Sequence, residues 1–318
     1  MINKRQYNIL SFYLTRTLFL GGGFTLLIKL GMNDLLISAI LGMLFGYFIL
    51  YMFFKKGNIS RFMSSIIAVA TLIMGTLSNT VLTSNYLLQT TPTLLIVIIF
   101  FGTLLYASTK EFKVIGRVVE IFVFVSFIEI TLSLFSLFGL VNVERMLPLF
   151  TNDTMNIIKG IIVFAGASVL PNLLLINYKE KLEFRDIQWG YIIGSLLMIL
   201  VLFFVVTIYG SQFASNARFP EFLILKKIDI MGYLTNLENV LVTEWIFNVL
   251  VTSWLCVKVL KDNTNSTLFY ILILVLVLGS EFLLNRDYVN ILYVKQYFYY
   301  VAFGIMIVSL IIKTKFLR

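Results

Sequence analysis

Three ionisable side chains lie inside long apolar runs of the sequence: Arg16, Glu129 and Glu244. If these runs cross a membrane, each charge is expensive there and marks a binding site or an ion pathway. Arg16 and Glu129 lie near the middle of their runs and are candidates to pair, because an arginine–carboxylate pair is the least costly way to keep either charge in place. Glu244, next to Trp245, is a candidate to face a cavity, where carboxylates can carry protons.

Two of the apolar runs carry residues that weaken a helix. They are Gly21, Gly22 and Gly23 in the first run, and Gly166, Ala167 and Ser168 in the sixth, with Pro171 just after. Relative to alanine, glycine costs a helix about 1 kcal/mol and proline about 3 kcal/mol. A helix interrupted at membrane depth must line a cavity or be buried in protein, so both segments are candidate ligand-binding sites. The alternative is close helix packing, which we assign to Gly42 and Gly46.

The composition is that of a membrane protein. Hydrophobic residues make up 59% of the 318 residues and charged residues 13%, with a mean hydropathy of +0.95, whereas average soluble domains contain about 25% charged residues. The net charge of +9 comes from basic residues at the ends of apolar runs. That placement favours topology signals and lipid-headgroup contacts over nucleic-acid binding.

The residues that most enzymes and metal sites need are scarce. The chain has no histidine and one cysteine, Cys256, which excludes an intrachain disulfide, a metal site built from cysteine pairs, and Ser–His or Cys–His catalysis. No phosphate-binding loop of the Walker type is present, so we expect no ATP-driven pump within this chain. We expect no enzyme activity, cofactor or metal, although an intramembrane enzyme that uses two acids stays formally open.

The lengths of the apolar runs predict an all-α integral membrane protein with about ten transmembrane helices, since a span needs about 20 mostly apolar residues. The predicted spans are Gln6–Ile28, Asp34–Phe54, Met63–Leu88, Thr93–Ser108, Val114–Leu140, Met155–Tyr178, Ile187–Gly210, Leu237–Leu260, Thr267–Leu284 and Tyr297–Ile312. With the N-terminus in the cytoplasm, inner loops carry more than twice as many basic residues as outer loops. We therefore expect both termini to be cytoplasmic.

The two weakened spans are the first and the sixth, five apart in a chain of ten, and they run in opposite directions. This spacing predicts a five-plus-five inverted repeat within one transporter-like domain (residues 1–318), with repeats at about 1–141 and 154–318 and an outer-face loop at 211–236 that forms short interfacial helices. In such folds the interrupted helices bind substrate near the midplane. Their free N–H groups suit a carboxylate and their free carbonyls an ammonium, as in an amino acid.

Several local patterns, in order along the chain, carry a family resemblance. They are Gly31-Met32-Asn33-Asp34 before Ala39-Ile40-Leu41-Gly42 and Gly46; Tyr106-Ala107 with Val114-Ile115-Gly116-Arg117-Val118-Val119-Glu120; and Phe219-Pro220 with Leu225-Lys226-Lys227-Ile228, leading to Leu237-Glu238 and Trp245. The chain resembles, over essentially its whole length, the B subunit of bacterial spore germinant receptors, the endospore germination permeases of the amino acid–polyamine–organocation superfamily. That family often has arginine where this chain has Lys226 and Asn236, so no role is transferred to those positions.

The resemblance implies a germinant-sensing membrane subunit that works with an A subunit and a lipoprotein C subunit in the inner spore membrane. Its ligand, typically an amino acid, would occupy the cavity at the two broken helices, at Gly21–Gly23 and Gly166–Ser168. One alternative is a proton- or ion-coupled amino acid transporter, motivated by Arg16, Glu129 and Glu244. Another is ion conduction through the bundle.

Overall fold

The computed structural model describes residues 3–20, 22–56, 59–178, 183–227, 238–284, 292, 294–304 and 306–307. The regular elements among them are all helical. The α-helices are α1 (Lys4–Thr17), α2 (Gly23–Gly31), α3 (Leu35–Lys56), α4 (Arg61–Leu82), α5 (Thr93–Ser108), α6 (Phe112–Phe138), α7 (Thr154–Leu173), α8 (Gln188–Tyr209), α9 (Ser211–Asn216), α10 (Pro220–Leu225), α11 (Glu238–Asn263) and α12 (Ser266–Leu284). Residues 294–304 are also helical.

Seven helical stretches in the described part of the chain are long and apolar enough to cross a membrane, so the chain is a multi-pass membrane protein as predicted. The stretches are Gly23–Lys55, Arg61–Leu87, Phe112–Phe138, Thr154–Tyr178, Gln188–Tyr209, Val242–Asn263 and Ser266–Leu284. Two predicted spans fall below this length. The first is split between α1 and α2, and the fourth corresponds to α5, which has only 16 residues. The predicted tenth span, Tyr297–Ile312, lies partly outside the described residues.

The first span is interrupted where its glycines predict a break. α1 ends at Thr17 and α2 begins at Gly23, and Gly22 between them has a φ of 113°, a conformation that glycine adopts readily and other residues rarely. A Cβ on Gly23 would lie 2.6 Å from the carbonyl oxygen of Leu18, so a side chain there would collide with the turn. The predicted interruption is confirmed, although Gly21 itself lies outside the described residues.

The predicted break in the sixth span is wrong. α7 continues as a helix through Gly166, Ala167 and Ser168 and includes Pro171, and it tightens into 3₁₀ turns only at Leu174–Tyr178. An intact helix satisfies its own backbone hydrogen bonds, which open backbone at membrane depth does not. The alternative interpretation, close packing, applies here: a Cβ on Gly166 would lie 3.6 Å from the ring of Tyr299.

Glycines four residues apart on α3 bring that helix against α7. A Cβ on Gly42 would lie 2.7 Å from Cβ of Phe164, and a Cβ on Gly46 would collide with the Tyr191 hydroxyl of α8 and lie 3.0 Å from Cγ2 of Val169. Those distances leave no room for a larger residue. The interpretation of this pair as a packing motif is therefore confirmed.

A second pair with the same spacing, Gly190 and Gly194, brings α8 against α1. A Cβ on Gly194 would lie 3.0 Å from the carbonyl oxygen of Phe12, and a Cβ on Gly190 would collide with the backbone of Asn8. The Gly190 N–H also donates a hydrogen bond to Asn8 Oδ1. The helices α1 and α7, which carry Arg16 and the segment Gly166–Ser168, are thus each packed closely against a neighbour that carries a glycine pair.

Candidate functional site

The site is built around a buried ion pair between α1 and α11. Arg16 is 2% exposed and Glu244 is 7% exposed, and Arg16 Nη2 lies 2.6 Å and 2.7 Å from the two carboxylate oxygens of Glu244. The expected pairing of Arg16 with Glu129 is wrong, because α11 presents its own carboxylate to α1 at this level. A buried charge needs such a partner, since its desolvation is otherwise uncompensated.

Neighbouring side chains orient the ion pair. Ser126 Oγ of α6 donates to Glu244 Oε1 at 2.7 Å and lies 2.8 Å from the Tyr13 hydroxyl. The ring of Phe12 lies 4.5 Å from Arg16 Cζ, a cation–π distance. Arg16 Nε and Nη1 have no hydrogen-bond partner among the described residues. Arg16 therefore keeps two donor nitrogens that no described side chain uses.

Glu129 lies one helical turn beyond Ser126 on α6 and is 8% exposed. Its side chain lines a cavity of about 80 Å³ that Arg16 and Glu244 also line. The structure therefore brings together all three charges that the sequence analysis singled out. The cavity has room for a few water molecules, and it is smaller than typical ligand pockets of about 300–1,000 Å³. Binding of an organic solute requires side chains around it to move.

The remaining wall of this cavity is mostly apolar, with leucine, isoleucine and other aliphatic side chains from α6, α8 and α10, and with Trp245 beside the ion pair. A further carboxylate, Glu221, also lines it and is 1% exposed. The sequence analysis missed Glu221, which lies in the first turn of α10, directly after Pro220. Proline followed by an acidic residue is a helix-start signal, but it gives no indication of burial.

The short helices α9 and α10 confirm the prediction of short helices in the 211–236 loop over its described part, which ends at residue 227. Because α10 contributes Glu221 to the cavity, this loop closes one end of the site. The loop is therefore part of the site as well as a connection between spans.

The glycine segments lie apart from the charged cavity, and none of their described residues lines it. Aromatic rings occupy the space between the α1 break and α7. The rings of Phe19 and Phe164 are 4.8 Å apart, and the Tyr299 hydroxyl donates to the carbonyl oxygen of Leu18 at 2.8 Å. This hydrogen bond satisfies a carbonyl that the end of α1 leaves open.

Two further polar clusters surround α1, which explains why a helix with so many polar residues is buried. On the α7 side, Asn172 Nδ2 donates to Thr15 Oγ1 at 2.8 Å, and Ser11 Oγ donates to Asn172 Oδ1 at 2.7 Å. On the α11 side, Thr17 Oγ1 lies 2.5 Å from both Asn248 Oδ1 and Thr252 Oγ1. α1 is thus the central polar helix of the bundle.

Comparison with protein families decides the class of the protein. Residues 32–289 match the family model described as Spore germination protein, a permease family. The chain belongs to this spore germination protein family. Its members are transporter-like germination proteins rather than enzymes, and the family resemblance expected from the sequence is confirmed.

The chain is also similar to YfkT of Bacillus subtilis (strain 168), a protein named for spore germination. This chain is 22% identical to it over 150 residues, which cover 47% of this chain and 41% of YfkT. The match therefore spans less than half the length of the relative.

Proposed function

We propose that this chain is a nutrient-sensing subunit of a spore germinant receptor and that it binds a small amino acid beside Arg16, Glu129 and Glu244. The observation that carries the proposal is the buried guanidinium with two unused donors, Nε and Nη1, on the wall of a cavity that also holds Glu129. A ligand carboxylate would accept from Arg16, and the ligand ammonium would face Glu129. The aliphatic wall and the small volume favour a short apolar side chain.

Sensing would follow from the shared guanidinium of Arg16. A ligand carboxylate on Nε and Nη1 would draw the guanidinium toward the cavity and away from Glu244, which holds it through Nη2. Binding would then favour a state in which the ion pair ties α1 to α11 less tightly. A ligand shifts such an equilibrium only by its differential affinity for the two states.

We further propose the five-plus-five inverted repeat, with repeats at about 1–141 and 154–318. In such a repeat the second span corresponds to the seventh and the first to the sixth. The two glycine pairs support this correspondence: Gly42 and Gly46 on the second span pack against the sixth, while Gly190 and Gly194 on the seventh pack against the first. The glycine segments 21–23 and 166–168 would then contact ligand in an expanded site, once Phe19 and Tyr299 move.

The proposal includes a setting and partners. Both termini would face the cytoplasm, the chain would lie in the inner spore membrane, and an A subunit and a lipoprotein C subunit would read its change of state. The basic loops support the orientation. The family supports a germination role.

The decisive experiment measures binding of a panel of amino acids to the purified protein in nanodiscs by calorimetry. We expect at least one small apolar amino acid to bind wild type, and to bind the Arg16→Gln variant at least tenfold more weakly. Spores that lack the chain should fail to germinate with that amino acid. Normal germination of such spores with every amino acid would refute the sensing role.

A proton-coupled amino acid transporter is the second candidate. The observation that favours it is the presence of three buried carboxylates, Glu129, Glu221 and Glu244, on one cavity, since carboxylates inside a bundle form proton relays. Reconstituted vesicles with an imposed proton gradient distinguish the two. Gradient-driven uptake of the bound amino acid supports transport, and binding without uptake supports sensing.

A further inference from the structure

A second and larger cavity, of about 510 Å³, opens between α1, α6 and α8. Its walls are mostly apolar, and Arg5 and Asn8 of α1 lie at one end. It runs along α8 from Trp189 to Leu197, a rise of about 12 Å at 1.5 Å per residue. We call this cavity the lateral cleft.

The lateral cleft opens toward the lipid. Three of its lining side chains are more than half exposed: Phe127 at 70%, Trp189 at 57% and Ile193 at 54%. They lie on α6 and α8, both of which are long and apolar enough to span the membrane. Acyl chains of the bilayer are therefore the surroundings of this opening.

The polar end of the lateral cleft is suited to a headgroup. Arg5 lies near the start of α1 and Trp189 near the start of α8, and both line the same cleft. Tryptophan is typical of the headgroup level of a bilayer. Arg5 is exposed and forms no salt bridge among the described residues, whereas its neighbour Lys4 contacts Asp186 at 3.2 Å. The Arg5 guanidinium is thus available for a phosphate.

The geometry points to a binding site for one anionic glycerophospholipid, with an acyl chain in the lateral cleft, its phosphate at Arg5 and its headgroup beside the Trp189 indole. Basic pockets between membrane helices bind anionic headgroups in this way. A protein helix fits less well, because a helix with its side chains is about 10 Å across and 510 Å³ holds little more than one turn of it. A thin flexible chain can follow the whole cleft.

This lipid site is separate from the proposed amino acid site. The two cavities share only the side chains of Ile130 and Leu197, and the charges of the amino acid site, Glu129 and Glu244, line the other cavity. The lipid proposal therefore holds or fails independently of the ligand proposed above. Ser126 lines the lateral cleft and donates to Glu244, so an occupied cleft would adjoin the ion pair.

The test uses Trp189 as the reporter. The chain has three tryptophans, so the Trp245→Phe/Trp254→Phe variant leaves Trp189 as the only tryptophan, which can be excited selectively over tyrosine. This variant is reconstituted in two preparations of phosphatidylcholine vesicles. One contains brominated phosphatidylglycerol and the other contains the same fraction of brominated phosphatidylcholine. The quenching of Trp189 fluorescence is compared between the two preparations. We expect the anionic lipid to be preferred by about fivefold, the equivalent of about 1 kcal/mol for one basic residue at the surface.

Two further variants complete the experiment. Arg5→Gln should remove the preference, whereas Arg61→Gln, a matched loss of an exposed charge at the start of α4, should keep it. Equal quenching by the two brominated lipids, or an unchanged preference in Arg5→Gln, would overturn the proposal. The variant without Trp245 and Trp254 could fail to fold. In that case, native mass spectrometry compares the wild-type protein with Arg5→Gln, both with their tryptophans retained. Wild type should retain bound phosphatidylglycerol, and Arg5→Gln should lose it.

Discussion

Arg16 Nη2 contacts both carboxylate oxygens of Glu244, 228 positions away in the sequence, at 2.6 Å and 2.7 Å. This single contact ties the polar helix α1 to α11 at the level of the charged cavity. It also explains how two ionised groups are tolerated there, because each compensates the desolvation of the other.

The first prediction is that Arg16 and Glu244 stabilise the fold as a coupled pair. Arg16→Gln leaves the Glu244 carboxylate buried without its cation, and Glu244→Gln does the reverse, so each should lower the free energy of unfolding by about 3–5 kcal/mol. The double variant should lose clearly less than the sum. Chemical unfolding of the purified proteins in mild detergent measures all three.

The control for this cycle is Lys4→Gln, which breaks the bridge to Asp186. The Lys4 side chain is 73% exposed, and exposed bridges contribute about 1 kcal/mol or less. If the two single losses at Arg16 and Glu244 simply add in the double variant, the pair is not the coupled unit described here.

The second prediction separates Glu129 from the ion pair. Glu129→Gln removes a carboxylate that has no salt bridge among the described residues, so unfolding should change little. Binding of the amino acid ligand should weaken about tenfold or more, since a hydrogen bond to a charged group contributes about 1.5–3 kcal/mol. Calorimetry on the same preparation measures the binding.

Glu120→Gln is the matched control, because Glu120 lies on the same helix but accepts a hydrogen bond from Gln6 at 2.9 Å instead of lining the cavity. It should bind ligand as wild type does. Equal weakening in both variants would mean that the effect comes from helix α6 in general and not from the cavity.

The sequence predicts the helical membrane architecture well, because the lengths of apolar runs are set directly by bilayer thickness. It also predicts the α1 break, since Gly22 needs a positive φ and Gly23 admits no side chain. The same logic fails at Gly166 because small residues serve close packing as readily as unwinding. Only the neighbour, here Tyr299, decides between the two.

The partner of Arg16 is the other failure, and its cause is geometric. The depth of a residue along its span can be estimated from the sequence. Arg16 and Glu129 both lie near the middle of their predicted spans, so the sequence predicts similar depths for them. The direction in which each helix face points depends on packing between helices distant in the chain. That is why Glu244 of α11 takes the contact, and why Glu221 reaches the cavity from a loop.

The third prediction concerns the glycine pairs. Gly46→Ala would place a Cβ against the Tyr191 hydroxyl and 3.0 Å from Val169, and Gly194→Ala would place one 3.0 Å from the Phe12 carbonyl oxygen. Overpacking of this kind typically costs about 1–3 kcal/mol. Gly102→Ala on α5 meets nothing within 4 Å and should be neutral or stabilising by about 1 kcal/mol, the helix-propensity gain. Melting temperatures of the three variants in one detergent test this. Equal behaviour of all three would contradict the proposed close contacts.

The fourth prediction tests the orientation that the basic loops favour. Cys256 is fully buried, so wild type should not react with a membrane-impermeant maleimide. In a Cys256→Ser background, Glu144→Cys should react in intact cells, and Glu111→Cys should react only after permeabilisation; both native residues are exposed. The opposite pattern would place the N-terminus outside. Arg5 and the lateral cleft would then meet the outer leaflet, and the basic residues that flank the spans would no longer account for the topology.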